Sequence, residues 1–279
     1  MSDHKFLIYH RDDDIFVLFD NGQILDVFEH TRYTESWGRI LLQENNIYFQ
    51  HENQSLAKIK NEKIISQNKK LDVQKEKPID IIVKGNKYEF YDKYLLINSK
   101  KIIRIPNSSN MQCFGMYNIG NHLVCIIDFE FGYCEVPGTF IVIIDLISNK
   151  IINNIDLKNF NGYSFSCVEH NNKLYLTSTH FDEESCPAGD YCILLIFDGK
   201  SYKTRYIFVN KKKKICRSKK FKNIHKKMDR AFSASPTEKF ICFSNDNELI
   251  VYDIINETAT GYDYSYGKDG YLHSFIPVL

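Results

Sequence analysis

An all-β fold of repeated units is the architecture this sequence predicts, and three observations carry the prediction. A phrase of roughly forty residues recurs with variation along the 279-residue chain. Each copy divides into short apolar runs of strand length, separated by turns rich in Asn, Asp and Gly. The two ends of the chain are complementary, because the first unit lacks its opening strand and the last unit is followed by a spare one. A lone four-stranded sheet cannot bury both faces, so the copies must stack on one another. Six such units in a circle make a six-bladed β-propeller, closed by pairing of the C-terminal strand with the first blade, which removes the open edges. The chain then reads as a single domain over 1–279 with a basic insertion at about 210–230. Two stacked β-sandwiches would also use short strands, but they give no reason for the regular period.

The units follow in order. The first, KFLIYHRDDDIFVLFDNGQILDVFE, starts at Lys5 and has three strands. The second, GRILLQENNIYFQHENQSLAKIKNEKIISQ, and the third, IDIIVKGNKYEFYDKYLLINSKKIIRIPN, are worn copies whose second strands start at Asn46 and Lys87. In the fourth and fifth units the same strand starts at His122 and Lys173. Both carry an apolar strand, an acidic loop with Cys and Pro, an apolar strand ending in Asp, a turn and a further strand. Their opening strands are CFGMYNIGN and FSCVEHNNK. The sixth unit opens with FSASPTEK and continues as FICFSNDNELIVYDIINETATG. The spare strand, YLHSFIPVL, begins at Tyr271 and is expected beside Lys5–His10. Runs such as FIVII are apolar throughout, as they would be in strands covered on both faces.

The phrase from Ala231 to Gly261 resembles a WD repeat. The match lies in Ser235-Pro236 before FICFS, in the Asn245-Asp246-Asn247 turn, and in Val251-Tyr252-Asp253 where the family ends a strand with Trp-Asp. VLFD, VIID and LIFD end in Asp20, Asp145 and Asp198 in the same manner. No Gly-His dipeptide opens a repeat, and the single Trp, Trp37, is outside any such ending. Resemblance to WD-repeat proteins implies a rigid, non-catalytic platform for other macromolecules. At each strand end the Asp is expected to be structural, its carboxylate accepting hydrogen bonds from turn backbone groups.

Composition narrows the function classes. Hydrophobic residues at 43% suffice for a sizeable core, and the net charge of +1 gives no global pull toward nucleic acid or membrane. Charge is unevenly placed, however. Lys211 to Arg230 holds eleven Lys/Arg and one acid, Asp229, so an acidic body carries one strongly basic segment. The N-terminus lacks the apolar run of a signal peptide, and no stretch of eighteen apolar residues would make a transmembrane helix. Eight cysteines, several at strand positions, are expected as reduced thiols in an intracellular protein, cytoplasmic or nuclear, with no membrane contact.

Candidate sites are few. The basic segment offers Lys211, Lys212, Lys213, Lys214, Arg217, Lys219, Lys220, Lys222, Lys226 and Lys227 to a polyanion or a protein partner. Many like charges and few apolar anchors suggest a mobile arm, docked at most on acidic loops at Asp182–Glu184 and Asp12–Asp14. It reads first as a solvated loop, next as a contact for nucleic acid or another polyanion, and last as an import signal. Cys134, His180, Cys186 and Cys192 lack zinc-site spacing, and no acidic loop has calcium-loop spacing, so no metal or cofactor is expected. There is no P-loop, nucleophile elbow or His-Glu-x-x-His. The leading expectation is a non-catalytic scaffold for protein–protein interactions in a larger assembly. The second is a nucleic-acid or other polyanion binder acting through 211–230. The third is a propeller enzyme with a site assembled across blades.

Overall fold

The computed structural model describes residues 4–10, 13–29, 40–49, 54–70, 79–91, 94–105, 111–129, 138–157, 165–179, 190–218, 224, 226–245, 247–265 and 273–278. These form twenty-five strands in six antiparallel sheets. The first sheet contains β1 (Lys5–His10), β2 (Ile15–Asp20) and β3 (Gln23–Glu29). The second is β4 (Ile40–Gln43), β5 (Asn46–Phe49), β6 (Gln54–Lys60) and β7 (Lys63–Lys70). The third is β8 (Asp80–Val83), β9 (Asn86–Tyr91), β10 (Tyr94–Ile97) and β11 (Lys101–Arg104). The fourth is β12 (Met111–Ile119), β13 (His122–Phe129), β14 (Gly138–Asp145) and β15 (Lys150–Asp156). The fifth has β16 (Phe165–His170), β17 (Lys173–Thr179), β18 (Tyr191–Phe197), β19 (Tyr202–Asn210) and a fifth strand, β20 (Lys214–Ser218). The sixth is β21 (Ser233–Thr237), β22 (Phe240–Ser244), β23 (Glu248–Asp253) and β24 (Thr258–Asp263). The last strand, β25 (His273–Pro277), leaves the sixth sheet and joins the first as the neighbour of β1.

Tight turns set the registers. Asn21-Gly22, Glu44-Asn45, Asn61-Glu62 and Asn171-Asn172 have positive φ at both residues. That is the mirror-image turn whose twist matches a two-residue hairpin, and Asn and Gly tolerate it best. Gly22 has a second reason to be Gly: a Cβ there would lie 3.0 Å from Tyr262 Cδ1 of the sixth sheet.

Alternate residues of the middle strands serve two different neighbours, which is why these strands are apolar throughout. In β14, Ile141 and Ile143 pack toward the fifth sheet, and Val142 and Ile144 toward the third. In β2, Phe16 and Leu18 face the second sheet, while Val17 and Phe19 face the sixth. Another apolar cluster joins the fifth and sixth sheets through Leu194, Ile207, Phe243 and Ile250. The last strands of these units are exposed: β15 and β24 have mostly exposed residues.

β25 pairs antiparallel with β1, from Phe6 opposite Pro277 to His10 opposite His273. Phe275 enters the cluster between the first and sixth sheets, and Ile276 packs on that between the first and second. One boundary differs from the rest. Among the described residues no apolar cluster joins the second sheet to the third. The face of the third sheet turned away from the fourth carries Asp80, Lys87 and Glu89, with Lys87 Nζ 3.0 Å from Asp80 and 2.7 Å from Glu89. Ile82 and Tyr91, on the same face, are 72% and 65% exposed. The second and third units, worn in sequence, are thus the neighbours between which the described residues form no apolar cluster.

Candidate functional site

The basic segment is partly sheet. β19 runs to Asn210, whose side-chain oxygen accepts from Lys212 N (3.1 Å) and whose carbonyl accepts from Lys213 N (2.9 Å). The chain reverses and pairs as β20, from Asn210 opposite Lys214 to Tyr206 opposite Ser218. Ile215 packs on the cluster between the fifth and sixth sheets, and Cys216 on that between the fourth and fifth. A single apolar residue on each face is enough to seat an edge strand already paired along its length. Lys214–Ser218 is therefore not the unanchored arm that its charge suggested. The far end is also tied down. Ile224 is buried in the cluster between the fourth and fifth sheets, and Asp229 N donates to Val209 O at 2.7 Å. Lys219, Lys220 and Lys222 lie outside the described residues.

Of the acidic loops expected as docking sites, Asp12 and Asp182–Glu184 lie outside the described residues. Among the described residues the cations meet the sixth sheet. Lys214 Nζ is 3.1 Å from Glu248 Oε1. Arg205 and Arg217 donate to the two carboxylate oxygens of Glu257, and Arg217 also reaches the Glu257 carbonyl at 3.0 Å. The Arg217 guanidinium lies 5.7 Å from the centre of the Tyr252 ring. Burial pushes the Glu257 carboxyl up, but hydrogen bonds and charge from Arg205 and Arg217 outweigh it and leave it lowered. Lys211 sits 4.0 Å from Asp229 and is itself 82% exposed. Lys212, Lys213, Lys226 and Lys227 are exposed. Nothing in the local sequence marked Glu248 or Glu257 as partners, because the pairing depends on how the fifth and sixth sheets abut.

The strand-end Asp residues bond their turns. Asp253 Oδ1 accepts from Ile255 N (2.8 Å) and Asn256 N (2.9 Å), and its Oδ2 from Asn256 Nδ2 (2.8 Å). Asp198 Oδ1 accepts from Lys200 N (3.0 Å) and Ser201 N (2.8 Å). Asp145 Oδ2 accepts from Ser148 N (2.8 Å) and Ser148 Oγ (2.6 Å). Asp20 differs, accepting from the Asn21 side chain at 2.8 Å and lying 3.9 Å from Lys5 Nζ. The Ser148 hydroxyl and amide hold the Asp145 carboxyl below the ordinary range, and the Ser201 and Lys200 amides do the same for Asp198. Asp253 alone among the four is buried, at 3% exposure. Asp253→Ala should therefore cost about 1–3 kcal/mol, the scale of losing hydrogen bonds to a charged group, and more than Asp145→Ala or Asp198→Ala. Urea midpoints check the ranking. What Asp145 and Asp198 contribute is complete above the ordinary carboxylate pKa near ~4. It is lost as pH falls through their lowered folded-state values. The double variant Asp145→Asn/Asp198→Asn should accordingly flatten the acid limb of a melting-temperature series.

Other chemistry-bearing side chains are built into the core. Burial pushes the thiols of Cys113 and Cys167 up to about 12, and those of Cys125 and Cys242 well up. Cys192 is buried between the fifth and sixth sheets, while Cys134, His180 and Cys186 lie outside the described residues. His4 Nδ1 lies 2.5 Å from Tyr262 OH, and His10 Nε2 lies 2.6 Å from Tyr264 OH. These two contacts bracket the boundary between the first and sixth sheets and were not foreseen from sequence. An open groove of about 600 Å³ lies against the polar face of the second sheet, by Lys58, Ile65 and Gln67. Among the described residues no group of three or more His, Cys, Asp or Glu converges as a metal site would require, and no helix is long and apolar enough to cross a membrane.

No family model matches the chain, and no curated protein matches it. Among solved structures it is similar over its length to apo AztD from Citrobacter koseri, at 10% identity. The alignment covers 99% of this chain and 98% of that one, with a TM-score of 0.33.

Proposed function

We propose that this chain is a six-bladed, WD-like β-propeller acting as a non-catalytic scaffold for protein–protein interactions in a larger assembly. The observation that carries this reading is the use to which the reactive side chains are put. Asp145, Asp198 and Asp253 accept turn hydrogen bonds, His4 and His10 bond Tyr across a sheet boundary, and the buried thiols are held protonated. Six sheets arranged in a ring, with β25 laid on β1, would present loop clusters to partners on two rims. An intracellular setting, cytoplasmic or nuclear, fits the free buried thiols. Affinity capture of the tagged full chain, with and without nuclease, tests the reading. Stoichiometric protein partners should survive nuclease treatment. Recovery of nuclease-sensitive species alone would overturn it.

A second reading is favoured by one specific observation, the exposed cations Lys212, Lys213, Lys226 and Lys227 around β20. In that reading the segment contacts a polyanion such as nucleic acid, and Lys211–Lys214 replaced by Ser should weaken binding and flatten its salt dependence.

A further inference from the structure

Glu257 occupies a place built for an anion. Arg205 on β19 and Arg217 on β20 grip its two carboxylate oxygens from adjacent strands, and Lys214 meets Glu248 close by. Two guanidinium groups converging on one oxyanion is the arrangement by which Arg also recognises phosphate. The groups remain open to water: the Arg side chains are 31% and 38% exposed, and Glu257 is 37% exposed. Glu257 has φ 57°, a left-handed turn position that Gly or Asn adopts more readily.

We propose that Glu248 and Glu257 are internal competitors, which occupy the cations Lys214, Arg205 and Arg217 of β19 and β20 and hold back the phosphate backbone of a nucleic acid. The inference rests on the second reading above and adds its regulation. Exposed ion pairs are individually weak and salt-screened, so a ligand engaging several cations at once can displace them. Lys212 and Lys213 make the first contacts. Displacement of both carboxylates then adds Lys214, Arg205 and Arg217 to the interface.

The test is fluorescence anisotropy of a labelled mixed-sequence single-stranded RNA oligonucleotide against the full chain, over a salt series. Glu248→Gln/Glu257→Gln should bind about tenfold more tightly at low salt, because it presents three further cations without competitors. Its logarithmic salt slope should steepen by about 2, at roughly 0.7 per phosphate neutralised. Arg205→Gln/Arg217→Gln added to that variant should remove most of the gain. Circular dichroism checks folding, and Glu248→Gln alone serves if the double variant is unfolded. Unchanged affinity and slope, with the native chain binding RNA, would refute the competition and leave the second reading standing. Absence of RNA binding by both proteins would overturn the two together. A gain for a poly-glutamate peptide without a gain for RNA would overturn the nucleic-acid assignment.

Discussion

Removal of residues 271–279 is expected to destabilise the whole protein in one cooperative step. β25 supplies a partner to every residue of β1 from Phe6 to His10, so its loss leaves an unpaired edge beside the N-terminal strand. It also removes apolar filling from two boundaries, since Phe275 belongs to one cluster and Ile276 packs on another. Truncating a buried Phe alone costs about 3–5 kcal/mol. At roughly 2–4 °C per kcal/mol for a domain approaching this size, melting should fall by about 10 °C or more. The His4–Tyr262 and His10–Tyr264 contacts remain in the truncated chain. They do not replace an absent strand. An unchanged melting temperature would mean that β25 is an appendage.

Phe243→Ala should produce the second large effect. Phe243 is fully buried in the cluster between the fifth and sixth sheets, among Leu194, Ile207 and Ile250. The loss expected for such a cavity is about 3–5 kcal/mol. Ile82→Ser is the contrasting case. Ile82 is 72% exposed, at the boundary where no apolar cluster is formed among the described residues. Its replacement should shift stability by no more than about 0.5 kcal/mol. Urea midpoints compared at constant m value measure both. Equal effects would show that the boundary between the second and third sheets is packed like the others.

Much of the strand order was legible in the sequence because the signals are local. The Asn-rich turns, the Asp at the ends of VIID, LIFD and VYD, and the unmatched strand at each terminus depend on only a few neighbouring residues. The apolar runs of β14 and β18 announced strands covered on both faces, and the structure places their alternate residues in different clusters. β20 was hidden for the opposite reason. KICRS carries one apolar residue per face between runs of Lys, so its pattern is that of a charged loop, and only pairing with β19 makes it a strand. The partners of its cations were hidden too. Glu248 and Glu257 lie 34 and 40 positions from the residues they meet, a distance that no local pattern encodes. The His–Tyr contacts span 258 and 254 positions and exist only because the first and last sheets abut.

Native-state hydrogen exchange of the intact chain tests the proposed ring of six sheets, closed by its own last strand, most directly. Amides of β25 and β1 should exchange together, with the free energy of global unfolding, because opening the closure exposes two core boundaries at once. Fast exchange of Ser274–Ile276, independent of denaturant while β22 and β23 stay protected, would contradict it.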